Sequence, residues 1–193
     1  MHILKFMLIW GLAGVGMLLI ASLLITHFQV NAQKFISNSA SITFFSEAPV
    51  ENIEARNSKA SSIFDLSTGE IVFSVPIAEF EFRKSLMKTH FNENYMESET
   101  YPKSTFRGKV NKFKPSVGRY KSIAIGIIDI HGVSKEVKIE GTVDVREETV
   151  IIKASFPVSL KDYDVKIPKI LFSNIAETVE VNIEFKYIPY ASN

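Results

Sequence analysis

The sequence predicts an all-β fold, an up-and-down antiparallel barrel with one short helical insert, and three observations carry that expectation. The first is residues 123–145, two apolar arms around the bend His131-Gly132-Val133-Ser134-Lys135. In the second arm Val133, Val137, Ile139, Val143 and Val145 share one parity, and Lys138, Glu140, Thr142, Asp144 and Arg146 share the other. A period of two sends successive side chains to opposite faces, so this arm has one dry and one wet side. The second is residues 179–187, where Val179, Val181, Ile183, Phe185 and Tyr187 alternate with Glu180, Asn182, Glu184 and Lys186. The third is the number of such runs, about seven or eight. A one-sided sheet of that size must close on itself or cover its apolar face, and closure creates an interior.

The chain does not begin as sheet. Lys5 precedes an uncharged run over residues 6–25, and Val30-Asn31-Ala32 then places a small residue ahead of Gln33. A positive start, an apolar middle and such a site form the pattern of a secretory signal peptide cleaved after Ala32. The run is also about twenty residues long, enough to span a bilayer, so an uncleaved membrane anchor is the alternative. Either reading makes 1–32 a leader or anchor and puts 33–193 outside the cytoplasm, periplasmic or secreted, as one domain. Gly11, Gly14 and Gly16 are no dinucleotide loop, because no strand precedes them and no acidic partner follows.

Within the domain, residues 39–45 read as a first strand closed by Glu47-Ala48-Pro49. Residues 50–57 are mixed, strand or short helix, and residues 58–62 are polar and turn-like. Ser67-Thr68-Gly69 opens a strand in which Ile71, Phe73, Val75 and Ile77 share one face. Residues 80–99 have good helix formers, no Gly or Pro, and apolar spacing at Phe82, Leu86, Met87 and Phe91, which predicts one or two short helices. Tyr101-Pro102 ends them. Residues 104–112 resume as strand, with Phe106, Gly108 and Val110 on one side, and 114–118 turn into the long hairpin. After Glu147-Glu148, residues 150–158 form a strand, and 160–172 an irregular loop or short helix around Asp162-Tyr163.

Charge and composition exclude several functions. Without Lys5 the basic residues equal the 21 acidic ones, so the domain is formally neutral and carries no electrostatic footprint for nucleic acid. No cysteine is present, which excludes cysteine-ligated zinc, iron–sulfur clusters and thiol catalysis. No G-x-S-x-G elbow occurs, and only His90 and His131 follow Ala32. His90, Glu93 and Glu97 are spaced to share a helix face. Their order reverses the Glu-x-x-His of di-iron bundles, however, and no second copy exists. A structured lid without metal is the expected role of that segment. Asp162 and Asp164 flank Tyr163, where a loop aspartate capping its own backbone is commoner than a paired-carboxylate site.

Three segments resemble a known family. IDIHGVSKEVKI, residues 128–139, resembles the L-T-I-H-G-V-T-K-x-V hairpin of the YceI-like family, the polyisoprenoid-binding-protein-like domains. Tyr101-Pro102-Lys103-Ser104-Thr105-Phe106-Arg107-Gly108 resembles its Y-P-x-x-x-F-x-G strand entry. Residues 86–98 resemble a branch with an extended helical insert. The resemblance implies an eight-stranded, lipocalin-like barrel whose apolar lumen holds an isoprenoid, in an exported carrier or sensor and not an enzyme. Asp129 stands where Thr is usual. Ile123, Ile125 and Ile127 make the first hairpin arm apolar on both faces, which permits an external homodimer contact.

The expected ligand is therefore a long isoprenoid, a polyprenyl lipid or isoprenoid quinone, held without a further cofactor and exchanged through transient membrane contact. Phe73, Val75, Phe106, Ile128, Ile130, Val137, Ile139, Phe156, Val181 and Ile183 are expected to line the lumen. His90, His131, Lys135 and Tyr163 are head-group candidates at its mouth. His131 alternatively braces its turn through a backbone carbonyl, and Lys135 is alternatively a solvated strand residue. Pattern alone leaves open whether such an interior is filled or empty. Two rival readings remain: a filled interaction module of the cell envelope, and a hydrolase or metal-dependent enzyme using His90 or His131.

Overall fold

The computed structural model describes residues 34–47, 52–167 and 176–190; residues 1–32, expected to be a leader or anchor, lie outside them. The elements are β1 (Lys34–Ser46), β2 (Ile53–Asn57), β3 (Ser61–Asp65), β4 (Glu70–Pro76), β5 (Glu81–Phe82), helix α1 (Ser85–His90), β6 (Lys103–Asn111), β7 (Gly118–Ile130), β8 (Val133–Val145), β9 (Val150–Ser159) and β10 (Thr178–Pro189). All pairings are antiparallel, and β10 returns to pair with β1, from Phe35 with Pro189 to Phe45 with Glu180.

Ten strands make eight staves. β2 and β3 both pair with β1 in one continuous register, Ile42 opposite Asn57 and Ile36 opposite Ile63, so they are two halves of a single stave. β4 and β5 likewise form one stave, β4 pairing with β3 and β5 with β2 across a 3-10 turn at Ile77–Glu79. The breaks are tied together by Asn57, which is fully buried. Its Nδ2 donates to the Pro76 carbonyl at 2.7 Å, and its Oδ1 accepts the Lys59 N–H at 2.8 Å. A buried amide thus satisfies backbone groups that the ladder leaves free at both breaks.

The inward parity follows the alternation of the sequence. Val150, Ile152 and Val158 on β9, and Val179, Phe185 and Tyr187 on β10, are buried. On β1 the register with β10 shifts between Ser37 and Ser39, so Phe35 is buried before the shift and Ala40 and Ile42 after it. On β7 the even positions face inward. Ile125 and Ile127 are 43% and 56% exposed, which makes the odd face of that arm the outer one.

Two segments depart from the expected elements. Residues 61–62 belong to strand β3, not to a turn. Ser62 hides this in the sequence, because it is a polar residue facing inward: its Oγ donates to the Val72 carbonyl at 2.7 Å and lies 2.8 Å from the Tyr187 hydroxyl. Within residues 80–99 the α-helix covers only Ser85–His90. A π-helical turn, Phe91–Tyr95, follows, and Glu97 then adopts a left-handed φ of 43°. His90, Glu93 and Glu97 therefore do not share one α-helical face.

Turn chemistry sets the remaining registers. His131 and Gly132 both have positive φ, 53° and 74°, the type I′ geometry that suits the twist of a two-residue hairpin. A Cβ on Gly132 would also stand 2.5 Å from Tyr101 Cε1. At the other end, Asp65 Oδ1 accepts the Ser67 N–H at 2.9 Å, the Thr68 N–H at 3.0 Å and the Ser67 hydroxyl. Desolvation pushes the Asp65 carboxyl up, but these hydrogen bonds outweigh it and hold the group below its ordinary 3.8.

Tyr187→Phe removes a buried hydroxyl bonded to Ser62 and is expected to lower unfolding stability by about 1–2 kcal/mol in urea titration. Because Asp65 is depressed in the folded state, its contribution is full above its unfolded value and is lost as pH falls through the folded one. The stability gap between wild type and Asp65→Asn should therefore be largest near neutral pH and shrink on acidification.

Candidate functional site

The barrel interior is filled in one half and open in the other. In the half where β1 begins and β10 ends, rings succeed one another from Phe73 downward. Phe73 lies 5.8 Å from Phe185, Phe185 is 6.0 Å from Tyr187, Tyr187 is 5.9 Å from Phe64, and Phe64 is 5.6 Å from Phe113. Phe64, Phe185, Tyr187 and Val150 are wholly inaccessible to water. Burial pushes the Tyr187 hydroxyl far above its ordinary value, so it remains a neutral hydrogen-bonding group.

The other half holds a cavity of about 320 Å³. Its wall comes from Ile42 and Phe44 of β1, Phe73 and Val75 of β4, Ile128 and Ile130 of β7, Phe156 and Val158 of β9, and Val179, Val181 and Ile183 of β10. The rim is aromatic. Phe91 lies 5.5 Å from Phe44, 5.5 Å from Phe80 and 5.0 Å from Phe82, and Met87, His90, Tyr95 and Met96 of the same insert also line the space. The insert thus covers the opening with apolar side chains from α1 and from the π turn.

Polar groups at the cavity are few. Ser46, His90, Tyr95, Ser104 and Tyr163 line it, and among the described lining residues none is Asp, Glu, Lys or Arg. Ser46 is already engaged, its Oγ accepting the Ala176 N–H at 3.0 Å. Desolvation pushes the Tyr95 phenol up, and desolvation together with the Asp162 charge does the same for Tyr163. Both therefore stand at the cavity as neutral hydroxyls. Such a site can hold an apolar body and one or two neutral hydrogen-bonding atoms.

Seven of the ten expected lumen residues line the cavity: Phe73, Val75, Ile128, Ile130, Phe156, Val181 and Ile183. The other three are not in its wall. Phe106 is buried beneath it, stacked on Phe73 at 5.1 Å; Ile139 is buried and Val137 half-buried on β8. Of the four mouth candidates, His90 and Tyr163 line the cavity. Lys135 stands outside, paired with Asp162 at 3.1 Å and 5.8 Å from the Tyr163 ring centre. His131 is buried at the hairpin tip, away from the lining. Its Nδ1 is 3.1 Å from the Tyr163 carbonyl, its Nε2 is 3.6 Å from Glu97, and its ring meets Tyr101 edge-on at 4.5 Å.

Phe80, Phe82, Phe91, Tyr95 and Met96 are lining residues that strand parity does not single out, whereas Phe44 shares the inward parity of Ala40 and Ile42 on β1. The density of aromatics on both sides of the insert was the available signal.

Residues 26–187 match the model of the YceI-like domain, most of the chain. The chain belongs to the YceI family. Solved structures related to it in fold include a polyisoprenoid binding domain from Saccharophagus degradans implicated in plant cell wall breakdown. That domain has 14% identity and a TM-score of 0.70, over 83% of this chain and 100% of that one. Burkholderia cenocepacia BcnA gives 18% identity and a TM-score of 0.64 over 76% and 95% of the two chains. The Campylobacter jejuni YceI protein gives 16% and 0.61 over 75% and 90%. No curated protein sequence matches the chain. In this member of the YceI family the hairpin resembling the family motif carries Ile128 and Ile130 into the cavity wall.

The rim geometry yields a prediction. Phe91→Ala removes the ring that contacts Phe44, Phe80 and Phe82, and should speed amide exchange across residues 85–95 while strands β6–β10 keep their protection.

Proposed function

We propose that this YceI-family barrel binds and carries a lipid of the isoprenoid class, a polyprenyl lipid or isoprenoid quinone, and performs no catalysis. The observation that carries the proposal is the apolar cavity with no Asp, Glu, Lys or Arg among its described lining residues. Transfer of a hydrocarbon tail from water to such a space gains about 25 cal/mol per Å² of apolar area. The bilayer supplies the same term, so a carrier needs only a near balance between lumen and membrane. The named ligand class of the Saccharophagus domain supports the same choice.

On this reading the tail lies among the aliphatic walls, and the polar end meets the Tyr95 and Tyr163 hydroxyls and His90 at the rim. The insert over residues 82–99 is the lid across which the ligand exchanges. Residues 33–193 act as the exported domain, in the periplasm or outside the cell, during brief contact with a membrane. N-terminal sequencing of the exported protein should begin at Gln33; an intact Met1 on membrane-bound protein would favour the anchor instead. A second reading, an external contact with another copy or an envelope partner, rests on exposed Ile125 and Ile127 on the outer face of β7.

The deciding experiment is mass spectrometry of lipid extracted from the folded protein after purification from its host. Prenyl lipid in near-stoichiometric amount is expected. Val181→Asp, which places an unpaired charge in the cavity wall, should remove it. Protein that is folded and empty from every preparation would favour the contact reading.

A further inference from the structure

The lumen ends abruptly, and the residues that end it are specific. On β1 and β10 the cavity is lined down to the paired residues Ile42 and Ile183. The next inward pair, Ala40 and Phe185, is buried and does not line the cavity, and the Phe185 ring is wholly inaccessible. Phe73 stacks on Phe185 at 29° and on Phe106 at 5.1 Å and 16°, so three near-parallel rings cross the barrel.

Two features hold this layer still. Gly108 and Gly126 face each other across β6 and β7, and the Phe106 ring lies over the first. A Cβ at 108 would stand 2.7 Å from Phe106 Cζ. Below Phe185 the Tyr187 ring is anchored by its hydroxyl to Ser62 at 2.8 Å, so the column has no slack into which the layer could sink.

We propose that this aromatic floor sets a length limit on the ligand, making the lumen a site for a short isoprenoid tail. The inference rests on the lipid-binding reading above and narrows it. Inward positions from Ser46 to Ile42, and from Val179 to Ile183, span four residues, a depth of about 13 Å along the strands. An extended chain advances about 1.2 Å per bond and an isoprene unit supplies about four bonds, so two to three units fill that depth. The cavity volume of about 320 Å³ is at the small end for a ligand site. A longer tail would have to leave its remainder outside the lumen, where it gains nothing from the wall.

The test is a competition series on the purified full chain. Geraniol, farnesol, geranylgeraniol and a polyprenol of about ten units would displace an apolar fluorophore from detergent-stabilised protein. Farnesol should bind at least tenfold more tightly than geranylgeraniol or the polyprenol. Phe106→Ala with Phe73→Ala should move the optimum to a longer chain by at least one unit. In the opposite direction, Val75→Phe should shorten the space, losing farnesol while keeping geraniol, which tests the floor even if the double variant does not fold. Equal affinity across the series, or rising affinity up to the polyprenol, overturns the length limit and leaves lipid binding standing. Binding of none of the four overturns the lipid reading, and the length limit with it.

Discussion

An eight-stave barrel encloses a width at which side chains from opposite walls either meet or narrowly fail to meet, and the rest of this molecule depends on which happens where. In the lower half the inward positions carry Phe64, Phe185 and Tyr187, whose rings reach across and touch. In the upper half most inward wall positions carry β-branched aliphatics, among them Val75, Ile128, Ile130, Val158, Val181 and Ile183, and these stop short of one another. Phe44 and Phe156 flank Val181 within the wall, and the other aromatics of the upper half cluster at the rim, on the insert and beside it. The cavity is therefore a consequence of where bulk is placed along the staves. Packing in the lower half stabilises the fold that keeps the upper half open.

Much of this was legible in the sequence, for a physical reason. Strand alternation is local, and Val179–Tyr187 reports its buried face without knowledge of its neighbours. The inward parity of β4, β6, β9 and β10 follows from that signal, closure from the number of such runs, and the helical insert from its own apolar spacing at Leu86, Met87 and Phe91. Elements whose stability comes from a distant partner were not legible. Ser62 looks like a turn residue until Tyr187 and the Val72 carbonyl are placed beside it. Val137 and Ile139 have the correct parity, yet parity places a residue on a face and not at a height or angle within the lumen. The extent of the floor depends on three rings from β4, β6 and β10 meeting, which no single segment records.

His131 illustrates the same division. Its left-handed turn is readable from His-Gly, but its packing is not. An imidazole Nδ1 facing the Tyr163 carbonyl must act as donor, which leaves Nε2 buried and facing Glu97. One ring thereby joins the β7–β8 tip, the end of the insert and the 3-10 turn at Leu160–Tyr163. The three segments that frame the mouth thus share one small contact, which fixes their spacing around the opening.

The pairing of β10 with β1 has a consequence in time as well as in space. β1 is synthesised first and the strand that completes it last, so Phe35 waits for Pro189 across nearly the whole domain. Until they pair, the facing backbone edges of β1 and β10 have no partner strand. Pairings so distant in sequence are slow to form. Open edges of this kind recruit other chains. The growing polypeptide is therefore most vulnerable to association with its neighbours just before its last strand arrives. Truncation within β10 would be expected to yield aggregation in place of a smaller barrel.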